Sequence, residues 1–295
     1  MTLLKKAQEA SAEIVAGVQV VRMACARGKV HSIVCIDRQT KRTFEVPTSI
    51  AIVAAGALQS PAILLRSELD RFSQGDLIGR FLMRHCNAVV AGIFPFRTNP
   101  EGVFHKQLCF SDFYEDFRDQ DDMALGVIQD IYTPSPEILK YHAPSGFKNA
   151  AAFSAGWLQN LLCVAEDEPQ YDNRVTLAEH KDAYGVERAQ VAHCYTDRDR
   201  DRRDYLVGKT KQILRKAGAF FFHTHQIDSF SHGVGSVRMG NDEEASILTA
   251  DCQFRGLDNL FVVDGSVFPA SGGVNPSLTI AANALRVANG IAKSS

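Results

Sequence analysis

The chain has 295 residues, 45% of them hydrophobic and 22% charged, a composition typical of a globular protein with a sizeable buried core. Its formal net charge of -2 gives no electrostatic reason to expect binding to nucleic acid or to an anionic membrane surface. The seven cysteines lack metal-ligand spacing, and no segment has the features of a signal peptide or a membrane span. We therefore expect a cytoplasmic protein with reduced thiols and no membrane partner.

The first part of the chain predicts a helix followed by strands. Apolar residues on one side of 3–10 indicate a short amphipathic helix. Apolar patterns indicate β-strands at 18–24, 29–37 and 44–47. A further apolar run at 49–53 enters a turn of small residues, after which Ser60 and Pro61 have the features of a helix N-cap and first helical position. Open α/β sheets hold ligands at such strand–turn–helix units.

The central part predicts an antiparallel sheet with irregular loops. Strand patterns occur at 86–94, 107–113, 123–131 and 188–194. A helix from residue 197 to Gly218 follows, and we interpret its mixed-sign start at 197–203 as a solvated, salt-bridged surface rather than a nucleic-acid patch. His223, His225 and His232 invite a metal interpretation, but no carboxylates or further histidines are grouped with them, so we predict no metal site.

The end of the chain combines a buried strand, an acidic turn and a helix. Four apolar residues at 260–263 are followed by Asp264 and Gly265, which indicates a strand that enters a turn. Asn275 has the features of a helix cap, and Pro276 suits the first helical position. From these residues alone, Asn275 is either only a cap or part of a ligand site, because a helix start attracts negative charge.

Parts of the sequence resemble the glucose-methanol-choline (GMC) oxidoreductases, flavoenzymes that oxidise alcohols. The similar segments include 54–61 (AAGALQSP), 231–240 (SHGVGSVRMG) and 259–292. The resemblance covers nearly all of this chain but only the later half to two-thirds of a complete family member. It implies an α/β protein, α+β overall. An incomplete FAD-binding Rossmann-like domain at 1–79 and 229–295 would carry an inserted antiparallel-sheet substrate domain at 80–228.

FAD is the cofactor that the resemblance implies. The expected cofactor-binding residues are Val20, Ala54, Ala55, Gly56, Asp264, Gly265, Pro276 and Ser277. By resemblance, Val20 faces the flavin adenine, and the small residues at 54–56 lie beside the adenosine diphosphate part. Asp264 is expected to bind the ribityl or diphosphate portion. The start of the helix at Pro276 would meet the flavin ring, where its dipole favours the reduced cofactor.

His232 and Asn275 are the catalytic residues that the resemblance implies. His232 falls where the family has its catalytic base, and Asn275 at a second position that holds either histidine or asparagine. The expected reaction is oxidation of the CH-OH group of an alcohol or sugar, with the imidazole accepting the hydroxyl proton as hydride leaves for flavin. His85, in another segment similar to the family, is interpreted as structural and left out of the site.

One departure from the family limits this interpretation. Family members begin with a strand, a G-x-G-x-x-G turn and a helix that hold the flavin diphosphate, and this sequence has no such turn. We therefore expect the single chain to bind flavin weakly or not at all. Either an N-terminal polypeptide completes the domain or the sequence is a fragment. The alternative function is a non-catalytic remnant or assembly partner, and a serine hydrolase is disfavoured because no G-x-S-x-G elbow occurs.

Overall fold

The computed structural model describes residues 2–103, 106–117, 123–227, 229 and 232–294. Ser231, at the start of one family-like segment, and residues 1, 228 and 295, at the limits of the predicted domains, lie outside them. The helices are α1 (Thr2–Glu9), α2 (Gly56–Arg66), α3 (Pro136–His142), α4 (Lys148–Ser154), α5 (Asp197–Lys216) and α6 (Ser277–Ser294). The strands are β1 (Val18–Ala26), β2 (Lys29–Asp37), β3 (Thr43–Pro47), β4 (Ala51–Val53), β5 (Cys86–Ile93), β6 (Cys109–Phe110), β7 (Gly126–Ile131), β8 (Leu158–Ala165), β9 (Arg174–Lys181), β10 (Glu187–Ala192), β11 (Phe221–Gln226) and β12 (Leu260–Val262).

Both parallel and antiparallel pairing occur. Strands β1, β2 and β3 form an antiparallel sheet, whereas β4 and β12 pair in parallel, with Ala51 opposite Leu260. Strands β11, β5, β8, β7 and β6 form a five-stranded antiparallel sheet in that order, and β9 pairs with β10 alone. The expected α/β class is confirmed. The parallel pair joins two short apolar runs, and Ile52 in the middle of β4 is exposed.

The two largest of the four buried clusters among the described residues draw on different parts of the chain. One is built from residues between Met23 and Met83 together with residues between Val234 and Val287, so the two ends of the chain share a core. The other, built from residues between Cys86 and Ala219, lies between the five-stranded sheet and α5. Strands β9 and β10, which lie within the predicted 80–228 domain, contact α2, and the division into domains stays a prediction.

Helix α2 begins at Gly56, so the expected N-cap at Ser60 and first helical position at Pro61 are wrong. Pro61 lies inside the helix and has no N–H for the carbonyl group of Ala57. The hydroxyl group of Ser236 donates a hydrogen bond of 2.6 Å to that carbonyl oxygen. The Ser60 hydroxyl instead donates to the carboxylate of Asp264. The local sequence pattern cannot predict that α2 begins at Gly56, because the donor to the Ala57 carbonyl is Ser236, a residue distant in sequence.

The start of α5 is more buried than expected. Thr196 caps the helix, since its hydroxyl accepts a 3.0 Å bond from the Asp199 N–H, and the Asp199 carboxylate accepts a 2.8 Å bond from the Thr196 N–H. Asp199 and Arg202 are at most 1% exposed. The predicted solvated surface at 197–203 is therefore wrong for Asp199 and Arg202, which contact Glu168, and for Arg203, which is 7% exposed.

The antiparallel sheet also differs in detail from the prediction. The strand expected at 107–113 is reduced to Cys109–Phe110, and the strand expected at 188–194 pairs only with β9. The central strand β8 and the edge strand β11 are not among the predicted strands. Strand β8 is almost wholly buried, with β5 on one side and β7 on the other. A buried strand lacks the alternation that identifies a half-exposed one.

Candidate active site

His232 and Asn275, which are far apart in sequence, lie side by side. The Nε2 atom of His232 is 3.5 Å from the Nδ2 atom of Asn275. Gln129, on β7, donates a 2.5 Å hydrogen bond from its Nε2 atom to the Oδ1 atom of Asn275. The carboxamide of Asn275 is thus engaged by two side chains, which argues against a role solely as the cap of α6.

His85 contacts His232 directly, although it was not expected in the site. The Nδ1 atoms of the two imidazoles are 3.3 Å apart, and the rings meet edge to face with centroids 5.4 Å apart. The Nε2 atom of His85 lies 2.9 Å from the carbonyl oxygen of Ser271. His85 is 1% exposed, whereas His232 is partly buried. The only signal in the sequence was that a histidine ends a family-like segment just before β5.

Both imidazoles are held in the neutral form near pH 7. Burial lowers the pKa of His232 below its ordinary value of 6.5, and the nearby His85 and Lys106 lower it further. Burial also lowers the pKa of His85, opposed by the hydrogen bond to Ser271 and by the Asp167 carboxylate. A neutral imidazole has one unprotonated nitrogen, which can accept a proton.

The backbone at both histidines is in the left-handed region, with φ of +63° at His85 and +59° at His232. This conformation is uncommon for residues other than glycine and is found at functional sites where the surrounding structure enforces it. Met83 and Val234 enforce it here by exchanging two backbone hydrogen bonds of 2.9 and 3.0 Å. The segment before His85 is thereby joined to the segment after His232.

The loop at 271–275 brings Asn275 to the histidines. The Gly272 N–H donates a 2.7 Å bond to the Glu166 carboxylate, and the hydroxyl group of Tyr114 donates a 2.8 Å bond to the Gly272 carbonyl. Gly273 packs against β7 so closely that a Cβ atom there would lie 2.7 Å from the Cα atom of Gly126. This loop is therefore held on the five-stranded sheet, while α6 packs on the other core.

The residues expected around the adenosine part of FAD border one cavity. Val20, Ala54 and Ala55 line a cavity of about 870 Å³, within the size range of cofactor sites. Gly56 follows them, and a Cβ atom there would meet nothing within 4 Å. The small side chains fit a bulky nucleotide group by leaving room for it. The N–H groups of Ala55 and Gly56 already donate to Ser60 and Asp264, so they offer no cradle for phosphate.

Asp264 is engaged by donors of the chain itself. Its Oδ2 atom accepts hydrogen bonds from the Gly56 N–H and the Ser60 hydroxyl, and its Oδ1 atom accepts a 2.8 Å bond from the Ser266 N–H. Asp264 therefore joins the ends of the parallel strands β4 and β12. Gly265 contacts the segment that follows His232, because its carbonyl oxygen accepts a 3.2 Å bond from the Gly235 N–H.

The start of α6 adjoins Asn275. Pro276 is buried and Ser277 is exposed, and the first backbone bond runs from the Ile280 N–H to the Pro276 carbonyl at 2.8 Å. The N–H groups of the first helical turn have no partner within the helix and favour negative charge. The donors at this helix start fit a flavin ring, which gains negative charge on reduction.

Neither a metal site nor a membrane span is found in the part of the chain that the structure describes. No group of three or more His, Cys, Asp or Glu side chains could hold a metal ion there. No described helix is both long and apolar enough to cross a bilayer. His223 and His225 lie on β11, and the nearest ring contact of His225 is to His142 on α3, at 6.5 Å between centroids.

Comparison with known proteins gives the family to which this chain belongs. Two family models, both described as GMC oxidoreductase, match residues 1–87 and 169–284. The chain belongs to the GMC oxidoreductase family, whose members are FAD-dependent flavoproteins.

Individual relatives agree with this assignment. The chain is 31% identical to 6'''-hydroxyparomomycin C oxidase of Streptomyces lividus over 294 residues and 31% identical to paromamine 6'-oxidase of Streptomyces fradiae over 295 residues. Both alignments cover 94% of this chain and 51% of the relative, so the chain spans about half the length of these relatives. Pyridoxine 4-oxidase from Mesorbium loti shares the fold, with a TM-score of 0.64 at 21% identity over 94% of this chain and 57% of that chain.

Proposed function

We propose that this chain provides the proton-accepting and substrate-orienting part of an FAD-dependent oxidoreductase that acts on the CH-OH group of an alcohol or sugar. The observation that carries this proposal is the 3.5 Å approach of His232 to Asn275 beside the start of α6. The names of the relatives, paromamine 6'-oxidase among them, support an oxidase or dehydrogenase.

In the proposed reaction, His232 is the general base. Its neutral imidazole accepts the substrate hydroxyl proton at Nε2, and the Nδ2 group of Asn275 donates a hydrogen bond to the same oxygen. Removal of the proton raises the electron density on the oxygen, so the adjacent C–H bond loses hydride more readily. Bound FAD would supply the two-electron acceptor. The pKa of His232 suits this role, because a base must be unprotonated at the working pH.

The chain's own residues would hold the cofactor at two places. Val20, Ala54 and Ala55 would border the adenosine part in the 870 Å³ cavity, with Gly56 giving close access to the backbone. Pro276 and Ser277 would present the first turn of α6 to the ring. Asp264 and Gly265 stay predicted cofactor-binding residues, and their observed contacts favour a role in ordering the turn.

We infer that a further polypeptide segment with the G-x-G-x-x-G turn completes the cofactor domain. Apolar side chains on the two elements that would hold the cofactor, α6 and β4, are exposed. Leu278 and Leu285 on α6 are 82% and 53% exposed, and Ile52 on β4 is 51% exposed. Burial of such residues contributes about 1.5–3 kcal/mol each, so a covering segment would stabilise the domain substantially.

The alternative is a non-catalytic member of the fold that serves in assembly. Its support is that Asp264 and the N–H groups of Ala55 and Gly56 are satisfied within the chain, so the turn requires no ligand for its stability. The two functions differ in whether flavin is retained and reduced.

The test is co-expression with the N-terminal half of a relative such as paromamine 6'-oxidase. We expect retained flavin absorbance and anaerobic bleaching by an alcohol or sugar substrate. His232→Ala should retain flavin and bleach roughly 10²- to 10⁴-fold more slowly, the usual contribution of a general base. His180→Ala, which changes an exposed histidine on β9, is the matched control and should bleach normally. Failure to retain flavin with any complement would favour the assembly role.

A further inference from the structure

We propose that His85 and Gln129 are positioning residues that determine which ring nitrogen of His232 carries a proton. The inference rests on the proposed role of His232 as base. Four side chains and one backbone carbonyl form a continuous series of contacts: Ser271, His85, His232, Asn275 and Gln129. Each hydrogen bond in this series requires one donor and one acceptor, so the protonation state at one end constrains the state at the other.

The series starts at a group that can only accept a hydrogen bond. The carbonyl oxygen of Ser271 can only accept, so the His85 nitrogen 2.9 Å away, Nε2, must carry the proton. Burial keeps His85 neutral, which leaves its Nδ1 atom as an acceptor. The Nδ1 atom of His232, 3.3 Å away, must then be the donor. A neutral His232 with a proton on Nδ1 has an unprotonated Nε2 atom.

The other end requires the same arrangement. The unprotonated Nε2 atom of His232 can only accept, so Asn275 must present its Nδ2 group, which lies 3.5 Å away. The Oδ1 atom of Asn275 then faces Gln129, whose Nε2 group donates the 2.5 Å bond. The Nε2 lone pair of His232 therefore points toward Asn275 and accepts from its Nδ2 group. A substrate hydroxyl that takes the place of this contact can lose its proton without prior rearrangement of the ring.

The same contacts give the abstracted proton a defined place. When the substrate O–H bond breaks and an Nε2–H bond forms, His232 becomes an imidazolium ion. Transfer of the Nδ1 proton to the Nδ1 atom of His85 leaves His232 neutral and His85 protonated on both nitrogens. The Asp167 carboxylate, which accepts a 3.0 Å bond from the backbone N–H of His85, partly offsets the burial that disfavours the protonated form of the ring. The positive charge is thus shared by two rings.

The tautomer can be measured without flavin or substrate. Long-range ¹H–¹⁵N correlation spectra of the full chain, labelled with ¹⁵N-histidine, report which nitrogen of each neutral imidazole is protonated. We expect His232 to carry its proton on Nδ1 and His85 on Nε2 near neutral pH. Because the measurement does not depend on cofactor, failure of this inference and failure of the proposed function are distinguishable.

Two variants test the assigned donors. His85→Phe keeps a ring and removes the acceptor, so His232 should become a mixture of tautomers. Gln129→Glu replaces the donor by an acceptor, which should turn the Asn275 carboxamide and place a proton on the Nε2 atom of His232. In the complemented enzyme, Gln129→Glu should bleach roughly 10²- to 10⁴-fold more slowly, the loss expected when the base is blocked.

A control variant distinguishes loss of the His85 contact from the general effect of replacing a buried histidine. His193 is also a buried imidazole, but it lies 3.5 Å from the Asp167 carboxylate and is not one of the contacts that fix the ring protons, so His193→Phe should leave His232 with its proton on Nδ1. If Gln129→Glu fails to fold, Gln129→Met is the second variant. It removes the donor without adding charge, so His232 should become a mixture of tautomers. A proton on Nε2 of His232 in the unmodified chain would overturn the inference. So would unchanged His232 signals in folded His85→Phe and Gln129→Glu chains.

Discussion

The hydroxyl group of Ser236 donates to the carbonyl oxygen of Ala57, the acceptor that Pro61 leaves without its helical partner. Both groups are buried, so loss of this bond leaves an unsatisfied carbonyl. We expect Ser236→Ala to lower the free energy of unfolding by about 1–3 kcal/mol in urea titrations. In a Pro61→Ala background, which restores a backbone N–H, the same substitution should cost less.

Ser266 provides the control for this prediction. Its hydroxyl is also buried and has no hydrogen-bond partner among the described residues. Ser266→Ala should therefore change the free energy of unfolding little. Equal destabilisation by Ser236→Ala and Ser266→Ala would contradict the assigned role of the Ser236 hydroxyl.

Gly273 is expected to set the position of Asn275. Gly273→Ala would place a Cβ atom 2.7 Å from the Cα atom of Gly126 and displace the loop at 271–275 from β7. Gly272→Ala is the matched control, because its φ of +70° is similarly unfavourable for alanine but its Cβ atom would meet nothing within 4 Å. Thermal unfolding should show Gly273→Ala less stable than Gly272→Ala by about 1–3 kcal/mol. Similar stabilities would show that the close packing is relieved without cost.

The pKa shifts of the histidine pair predict loss of stability in mild acid. Folding lowers the pKa of both His85 and His232 below 6.5, so the unfolded chain binds more protons just below that pH. Their contribution is fully present above pH 6.5 and is lost as the pH falls toward the folded pKa values. Urea unfolding from about pH 7 to 5 should show a shallower decline for His85→Phe than for the unmodified chain. Parallel curves would contradict the predicted coupling.

The cysteines should differ strongly in reactivity. Burial raises the pKa of the Cys163 and Cys86 thiols to about 12, whereas Cys109 and Cys194 are exposed. Because the thiolate is the reactive form, iodoacetamide should label the exposed pair first. Peptide mass spectrometry after brief labelling of the native chain measures this order, and early modification of Cys163 would contradict the observed packing.

Local pattern was sufficient for elements that carry their own signals. The hairpin of β1 and β2 alternates around Arg27 and Gly28, and both strands are found where expected. The start of α2 was not predictable, because Ser236, far away in sequence, serves the carbonyl group that Pro61 leaves free. Helix propensity depends on residues close together in the sequence, whereas Ser236 reaches this carbonyl only in the folded structure.

The site shows the same division. The family resemblance named His232 and Asn275, and the structure places them in contact, while their catalytic roles stay predictions. His85 and Gln129 were missed because nothing in the residue type of a buried histidine or a strand glutamine predicts its partner. Their alignment with the other two residues depends on the loop at 271–275 and its contacts with the sheet.

The core between the five-stranded sheet and α5 is built from residues between Cys86 and Ala219. A nascent chain can therefore complete this core before His232 and Asn275 leave the ribosome. Contacts between residues distant in sequence form slowly, so the histidine pair and the carboxamide meet late in biosynthesis. Proteolytic removal of the chain from the loop at 271–275 onward would leave this core intact and take away the carboxamide that His232 meets.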